Sequence, residues 1–273
     1  MKASTGFNSA LRVGMVAVAG FVALGAVSQA QAVSLTRSTS TDRLLTESIS
    51  FNAGATYQNS SLGSMGMNDG TSSFQVYCID PLTSYTQPNN YSVSSLYSYL
   101  NGGAYTAQFA QTPYTNVQSY GYNDQNTTTI LNKLVELYSH AYNDSLSGGA
   151  DKTKSAAFQY VAWEIMGESA YSRTAGGLRS NASNPAAFTT QVNAYLTALN
   201  TNSWGLVNGA NLTTANNFTY TVYTPTTTSQ AFLRVDASST TNTGNPVSEP
   251  GSLGLAAAAL LGLGYARRRK TAA

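Results

Sequence analysis

Helical periodicity is confined to the middle of this chain, and strand-like runs lie on both sides of it. Ile130, Leu134, Leu137 and Ala141 recur at helical spacing over residues 126–146, where Asn126 or Thr127 can cap and Gly148-Gly149 ends the run. A second helix is expected from Asp151, a good N-cap, to about Met166, with Gly167 as its stop and Phe158, Ala162 and Ile165 as its apolar stripe. A third is capped by Asn184, with Pro185 in first position, and carries Phe188, Val192, Tyr195 and Leu199. Before this block, residues 33–73 are rich in Ser, Thr, Gly and Asn with short apolar runs, and suggest irregular β structure. Phe74 to Ile79 is a compact aromatic and β-branched run broken by Asp80-Pro81, which puts Cys78 near the end of a strand. Residues 92–100 are expected to form a short helix through Val93, Leu96, Tyr97 and Leu100. After the block, Phe218 to Tyr223 and Ala231 to Val235 alternate as strands do. This order predicts an α+β fold: a β scaffold, sandwich- or barrel-like, interrupted by a central block of helices.

The two ends carry a different signal. Lys2 and Arg12 precede an apolar run from Val13 to Val27, and Ala30-Gln31-Ala32 is a small-x-small cleavage site. Residues 1–32 therefore read as a cleavable secretory signal, since the run is short for a membrane anchor and lacks a basic stop-transfer flank. At the other end, Val247-Ser248-Glu249-Pro250-Gly251 leads into a short apolar helix, Leu253 to Ala266, and then Arg267, Arg268, Arg269 and Lys270. Such a helix followed by cations reads as a transient membrane anchor with the globular part outside. The layout of Glu249-Pro250, apolar helix and arginine cluster resembles the PEP-CTERM sorting signal of Gram-negative bacteria, although Ser248 stands where that family usually has its first Pro. The resemblance implies processing by an exosortase-type enzyme and association with the cell envelope or extracellular polysaccharide. Residues 33–236 are then the functional domain, 237–246 a Ser/Thr/Asn/Gly linker and 247–273 the sorting tail.

Charge excludes some partners. The whole chain carries a formal +2, yet between Val33 and Val247 eight Lys and Arg face eleven Asp and Glu, a net −3. The basic balance belongs to the ends, so nothing favours nucleic acid. One Cys and one His, Cys78 and His140, are too few for a structural zinc site, and no phosphate-binding glycine loop or G-x-S-x-G is present. No metal or cofactor is expected.

A single cysteine cannot form an internal disulfide, but it can attack a carboxamide held beside it. Cys78 at a strand end and Gln159 on a helix are such a pair: loss of ammonia would leave an internal thioester, which an amine or hydroxyl of another molecule could open. Tyr77, Phe158 and Trp163 are placed to shield the bond from water. Tyr77-Cys78 followed by Gln159-Tyr160-Val161-Ala162-Trp163 resembles the thioester domains of bacterial surface adhesins, over roughly residues 45–236. Phe158 stands where a Thr often precedes the Gln, and Ala162 where a larger aliphatic is common. The resemblance implies covalent attachment to an amine- or hydroxyl-bearing surface or matrix partner, with self-modification at most and no turnover. Three other readings stand beside it. Cys78 can be a buried thiol in a structural protein that binds carbohydrate through a Tyr-rich surface, it can pair with a cysteine of another chain, or it can form a hydrolase dyad with His140. By residue type alone, Trp163 is a packing residue, Asp80 a turn residue, Glu164 a surface charge and His140 solvated.

Overall fold

The computed structural model describes residues 32–238, except 88, 112, 113, 123, 124 and 228. The signal peptide up to residue 31, most of the linker and the sorting tail, with Glu249, Pro250 and the arginines 267–269, lie outside the described residues.

Six antiparallel strands close on themselves: β1 (Val33–Arg37), β5 (Asn89–Ser95), β9 (Phe218–Pro225), β10 (Phe232–Ala237), β4 (Ser73–Cys78) and β3 (Gln58–Asn68). The pairs Thr36↔Asn68 and Arg37↔Met67 join β3 back to β1 and complete the barrel. Residues 33–73 are thus three regular strands rather than irregular β structure. Their short apolar runs are ordered by pairing with one another and with β4 and β5, which supplies the order that local sequence lacks.

β3 belongs to two surfaces. Its first half pairs with β2 (Arg43–Ser50), from Ile49↔Gln58 to Arg43↔Ser64, and its second half pairs with β4, from Met65↔Val76 to Asn68↔Ser73. The change of partner falls between Ser64 and Met65, just after Gly63, whose φ of +130° and close approach to the Arg43 carbonyl admit no side chain. β2 and the two-residue β6 (Arg179–Ser180) form a flange beside the barrel.

The helices pack against this flange. α5 (Thr153–Gly167) lies among α4 (Thr127–Ser145), α6 (Ala186–Thr201), β2 and β3, and every residue from Ser155 to Gly167 is buried. It is therefore a helix enclosed on all sides rather than one with a single apolar stripe. α4 keeps its expected face and is capped by Asn126, whose side chain accepts from Thr129 N at 2.9 Å.

Three boundaries differ from the sequence reading. β5 extends to Ser95, where Val93 pairs with Tyr223, and Ser95 then caps α1 (Leu96–Asn101) through its side chain. Tyr97 is exposed on that helix. Asn184 does not cap α6. Its carboxamide accepts from Ser48 N and donates to Ser48 O, both at 2.9 Å, so it ties the α6 entry to β2 while Pro185 takes the cap position. α5 starts at Thr153 after Lys152, with Asp151 accepting from Thr153 N at 2.9 Å.

Tyr77, Tyr91, Tyr99, Tyr114, Tyr122, Tyr138, Tyr160 and Tyr195 are fully buried, and among the described residues only Tyr57, Tyr97 and Tyr120 are large exposed aromatics. The tyrosines build a core of edge-on rings, and a Tyr-rich binding surface is not formed.

Candidate functional site

Cys78 is the last residue of β4. Strand alternation sends the backbone groups of its neighbours toward β10: Tyr77 pairs with Leu233, and Ile79 N donates to Ala231 O at 3.0 Å. The N–H and C=O of Cys78 consequently face the other way, toward β3. There the β3–β4 ladder has already ended at Met65↔Val76.

The side chain of Gln159 fills this gap. Cys78 N donates to Gln159 Oε1 at 2.9 Å, and Gln159 Nε2 donates to Cys78 O at 2.7 Å. The carboxamide makes the paired bonds a neighbouring strand would have made. One helical turn on, Trp163 Nε1 also donates to Cys78 O, at 3.0 Å. Trp163 is thus a hydrogen-bonding residue of the site as well as a packing residue.

The preceding residues form a parallel pair on the other side of the strand. Tyr77 and Phe158 have ring centroids 4.6 Å apart, and the Tyr77 hydroxyl lies 2.7 Å from Ser145 Oγ and 3.0 Å from Ser155 Oγ. Ser155 Oγ also accepts from Ser64 N at 2.9 Å, so one hydroxyl ties α5 to β3 beside Gly63. Tyr77 and Phe158 therefore fix how β4 and α5 face each other. They do not shield Cys78, because adjacent strand residues point to opposite faces. Of the three aromatics, only Trp163 lines the cavity of about 490 Å³ that Cys78 and Gln159 share.

The Cys78 thiol is 3% exposed. Its Sγ donates to Asp80 O at 3.0 Å and accepts from Asp80 N at 3.3 Å. Burial pushes the thiol pKa well above its ordinary value, and the nearby Asp80 charge adds to the rise.

Asp80 is more than the turn residue its position before Pro81 suggests. It is buried, and Tyr114 OH, which also accepts from Leu82 N at 3.2 Å, donates to Asp80 Oδ1. Burial raises the carboxyl pKa, opposed by the Tyr114 hydrogen bond. The one signal in the sequence is its place two residues after Cys78.

Two further readings are corrected. Glu164 is fully buried on α5 because that helix has no solvent face, and burial holds its carboxyl well above the carboxylate range. His140 is engaged rather than solvated: Nδ1 lies 2.7 Å from Leu212 O, and the ring stacks on Trp204 at 5.1 Å with 3° between planes. The hydrogen-bond partners of Cys78 are Gln159, Trp163 and Asp80, and His140 is not among them. Among the described residues no three His, Cys, Asp or Glu gather to hold a metal ion, and no helix is long and apolar enough to cross a membrane.

Residues 246–270 match the PEP-CTERM protein-sorting motif. That motif implies an exported protein of the Gram-negative cell envelope. Among solved structures, the N-terminal thioester domain of a surface protein from Clostridium perfringens is similar, with 12% identity and a TM-score of 0.35 over 63% of this chain and 86% of that chain. No curated protein matches the chain.

Proposed function

We propose that this exported protein attaches itself covalently to a surface or matrix partner through a thioester between Cys78 Sγ and Gln159 Cδ. The observation that carries this reading is the double hydrogen bond between the Gln159 carboxamide and the Cys78 backbone. It holds the electrophile beside the residue that bears the nucleophile, and this supports the reading because a poor electrophile such as an amide reacts only when so held.

Each contact has a chemical use. As Sγ adds to Cδ, negative charge gathers on Oε1, where the Cys78 N–H already donates. Asp80, whose backbone touches Sγ and whose charge is felt at the thiol, is the carboxyl we assign to hold the thiol proton in transit. The C–N bond then breaks, Nε2 leaves as ammonia with that proton, and the C–S bond remains. Departure of Nε2 removes one donor from Cys78 O, but Trp163 Nε1 still satisfies it, so the product leaves no buried carbonyl unpaired. Burial of the site restrains hydrolysis. A nucleophile entering the cavity would displace Cys78 and stay joined to Gln159, once per molecule. Processing by an exosortase-type enzyme would set where in the envelope or matrix this happens.

A structural reading on the same fold is favoured by one observation: the buried thiol both donates to and accepts from the Asp80 backbone. Intact-mass measurement of the mature protein separates the two. The thioester reading expects a species lighter by one ammonia, lost in both Cys78→Ala and Gln159→Ala, and a methylamine adduct on Gln159. Full mass with an alkylatable thiol overturns it.

A further inference from the structure

The cavity holding Cys78 and Gln159 is lined by uncharged polar groups. Gln58, Asn59 and Ser61 come from the exposed first half of β3, Thr83 and Ser84 from the loop after β4, and Gln230 from the segment before β10. Among the described residues no Asp or Glu lines it. Its one charge is cationic: Arg37, which is paired with Asp42 at 2.6 Å.

This lining discriminates between the two nucleophiles that could open a thioester. A lysine side chain arrives as an ammonium and must shed both water and a proton before it can attack. Here no carboxylate lines the cavity to replace its hydration, and the Asp42 carboxylate beyond Arg37 is already taken by that guanidinium. A hydroxyl arrives neutral, and the amides and hydroxyls on the wall can exchange hydrogen bonds with its neighbours on a polyol without net cost in charge. The Asp80 carboxyl lines a second cavity of about 680 Å³ across the Leu82-Thr83-Ser84 segment, where Tyr114 holds it. That second cavity also carries the uncharged polar groups of Gln108, Gln111 and Thr226.

We propose that the acceptor is a neutral polyol, the chemistry of an uncharged glycan, and that the protein joins it through an ester rather than an amide. The proposal rests on the thioester reading. In the step, the acceptor oxygen forms a bond to Gln159 Cδ, the Cδ–Sγ bond breaks, and the hydroxyl proton returns to Cys78 as a thiol, so no further reagent is needed.

The test uses mature protein whose ammonia deficit has been measured first. It is incubated in parallel with maltotriose and with a blocked tripeptide bearing a central lysine, at equal concentration, and the adducts on Gln159 are quantified by peptide mapping. Ester is expected to exceed lysine adduct by about tenfold, the ratio that about 1.4 kcal/mol of differential recognition gives. Ser61→Asp, which adds a carboxylate at an exposed strand position, is expected to shift the ratio toward lysine. Lysine adduct equal to or above ester, or no ester at all, overturns the proposal while leaving the thioester standing. Absence of the initial deficit removes the thioester reading itself and the proposal with it.

Discussion

Gln159 stands in for a β-strand beside Cys78: where β3 has turned away, its carboxamide accepts from one backbone group of Cys78 at 2.9 Å and donates to the other at 2.7 Å. Before any thioester forms, the fold depends on this bond pair. Gln159→Ala leaves the Cys78 N–H buried without a partner, at a cost of about 2 kcal/mol beyond the lost packing. Cys78→Ala keeps the backbone pairing and loses only a small apolar side chain. Neither variant can form the cross-link, so their difference isolates the strand-like pairing. Urea denaturation of the two mature variants is expected to rank Gln159→Ala as the less stable.

Asp80 and Tyr114 bear on the rate of the reaction. If the Asp80 carboxylate carries the Cys78 proton, Asp80→Asn slows ammonia loss by about a hundredfold, a usual contribution for a positioned base. The folded Asp80 pKa is raised, so wild-type formation is expected to quicken as pH climbs through that raised value and the carboxylate appears. Asp80→Asn should flatten this dependence, and Tyr114→Phe, which frees the carboxylate from its donor, should move it to higher pH. A time course of the mass deficit on refolded protein at several pH values reads all three.

The sequence revealed the parts of this site that local pattern encodes and concealed the parts set by distant segments. Ile130 to Ala141 marks α4, and Phe74 to Ile79 ending at Asp80-Pro81 marks β4, because spacing and breakers act over a few residues. Those two rules already put Cys78 at a strand end and Gln159 on a helix. Closure of the barrel by Thr36↔Asn68 left no local trace, since the register of β1 depends on partners more than thirty residues away. The burial of Glu164 was hidden for a related reason: a helix enclosed by α4, α6 and β3 has no polar face for periodicity to display. At Asp80 the turn chemistry of Asp-Pro masked a buried carboxyl, and at Val93 a helical spacing masked the final residues of a strand.

Glu164 makes stability depend on pH. Burial raises its carboxyl pKa well above the ordinary 4.5, and the Glu168 charge raises it further. The folded protein therefore keeps a proton that the unfolded chain releases near the ordinary value. Stability falls as pH rises from there toward the raised folded value, because the unfolded state binds fewer protons. Glu164→Gln is neutral at every pH and can still accept from Ser172 N, as Glu164 Oε2 does at 3.4 Å. It is expected to flatten the pH profile and to stabilise the fold by about 2 kcal/mol at neutral pH, the scale of one uncompensated buried polar group. Thermal melts of wild type and variant from acid to neutral pH test this, and a parallel decline in both would assign the dependence to other groups.

Gly63 controls whether the cavity exists. It lies two residues before Met65, where the β4 ladder ends, and the passage of β3 to β2 is what leaves the Cys78 backbone to Gln159. A Cβ there would lie 1.9 Å from Arg43 O and 3.2 Å from Ser155 Oγ, on a backbone of φ +130°. Relief requires moving either the β2 ladder or the start of α5, and both carry the site. Gly63→Ala is therefore expected to cost about 3 kcal/mol and to lower the fraction of molecules lacking ammonia. Gly70 supplies the control, since it has a φ of +89° but nothing within 4 Å of the place a methyl group would occupy. Gly70→Ala meets only the backbone penalty of a left-handed residue, about 1 kcal/mol, and leaves Cys78 and Gln159 untouched. Equal losses in the two variants would show that strain in the turn, rather than the steric fit of β3 against Arg43, sets the geometry at Gly63.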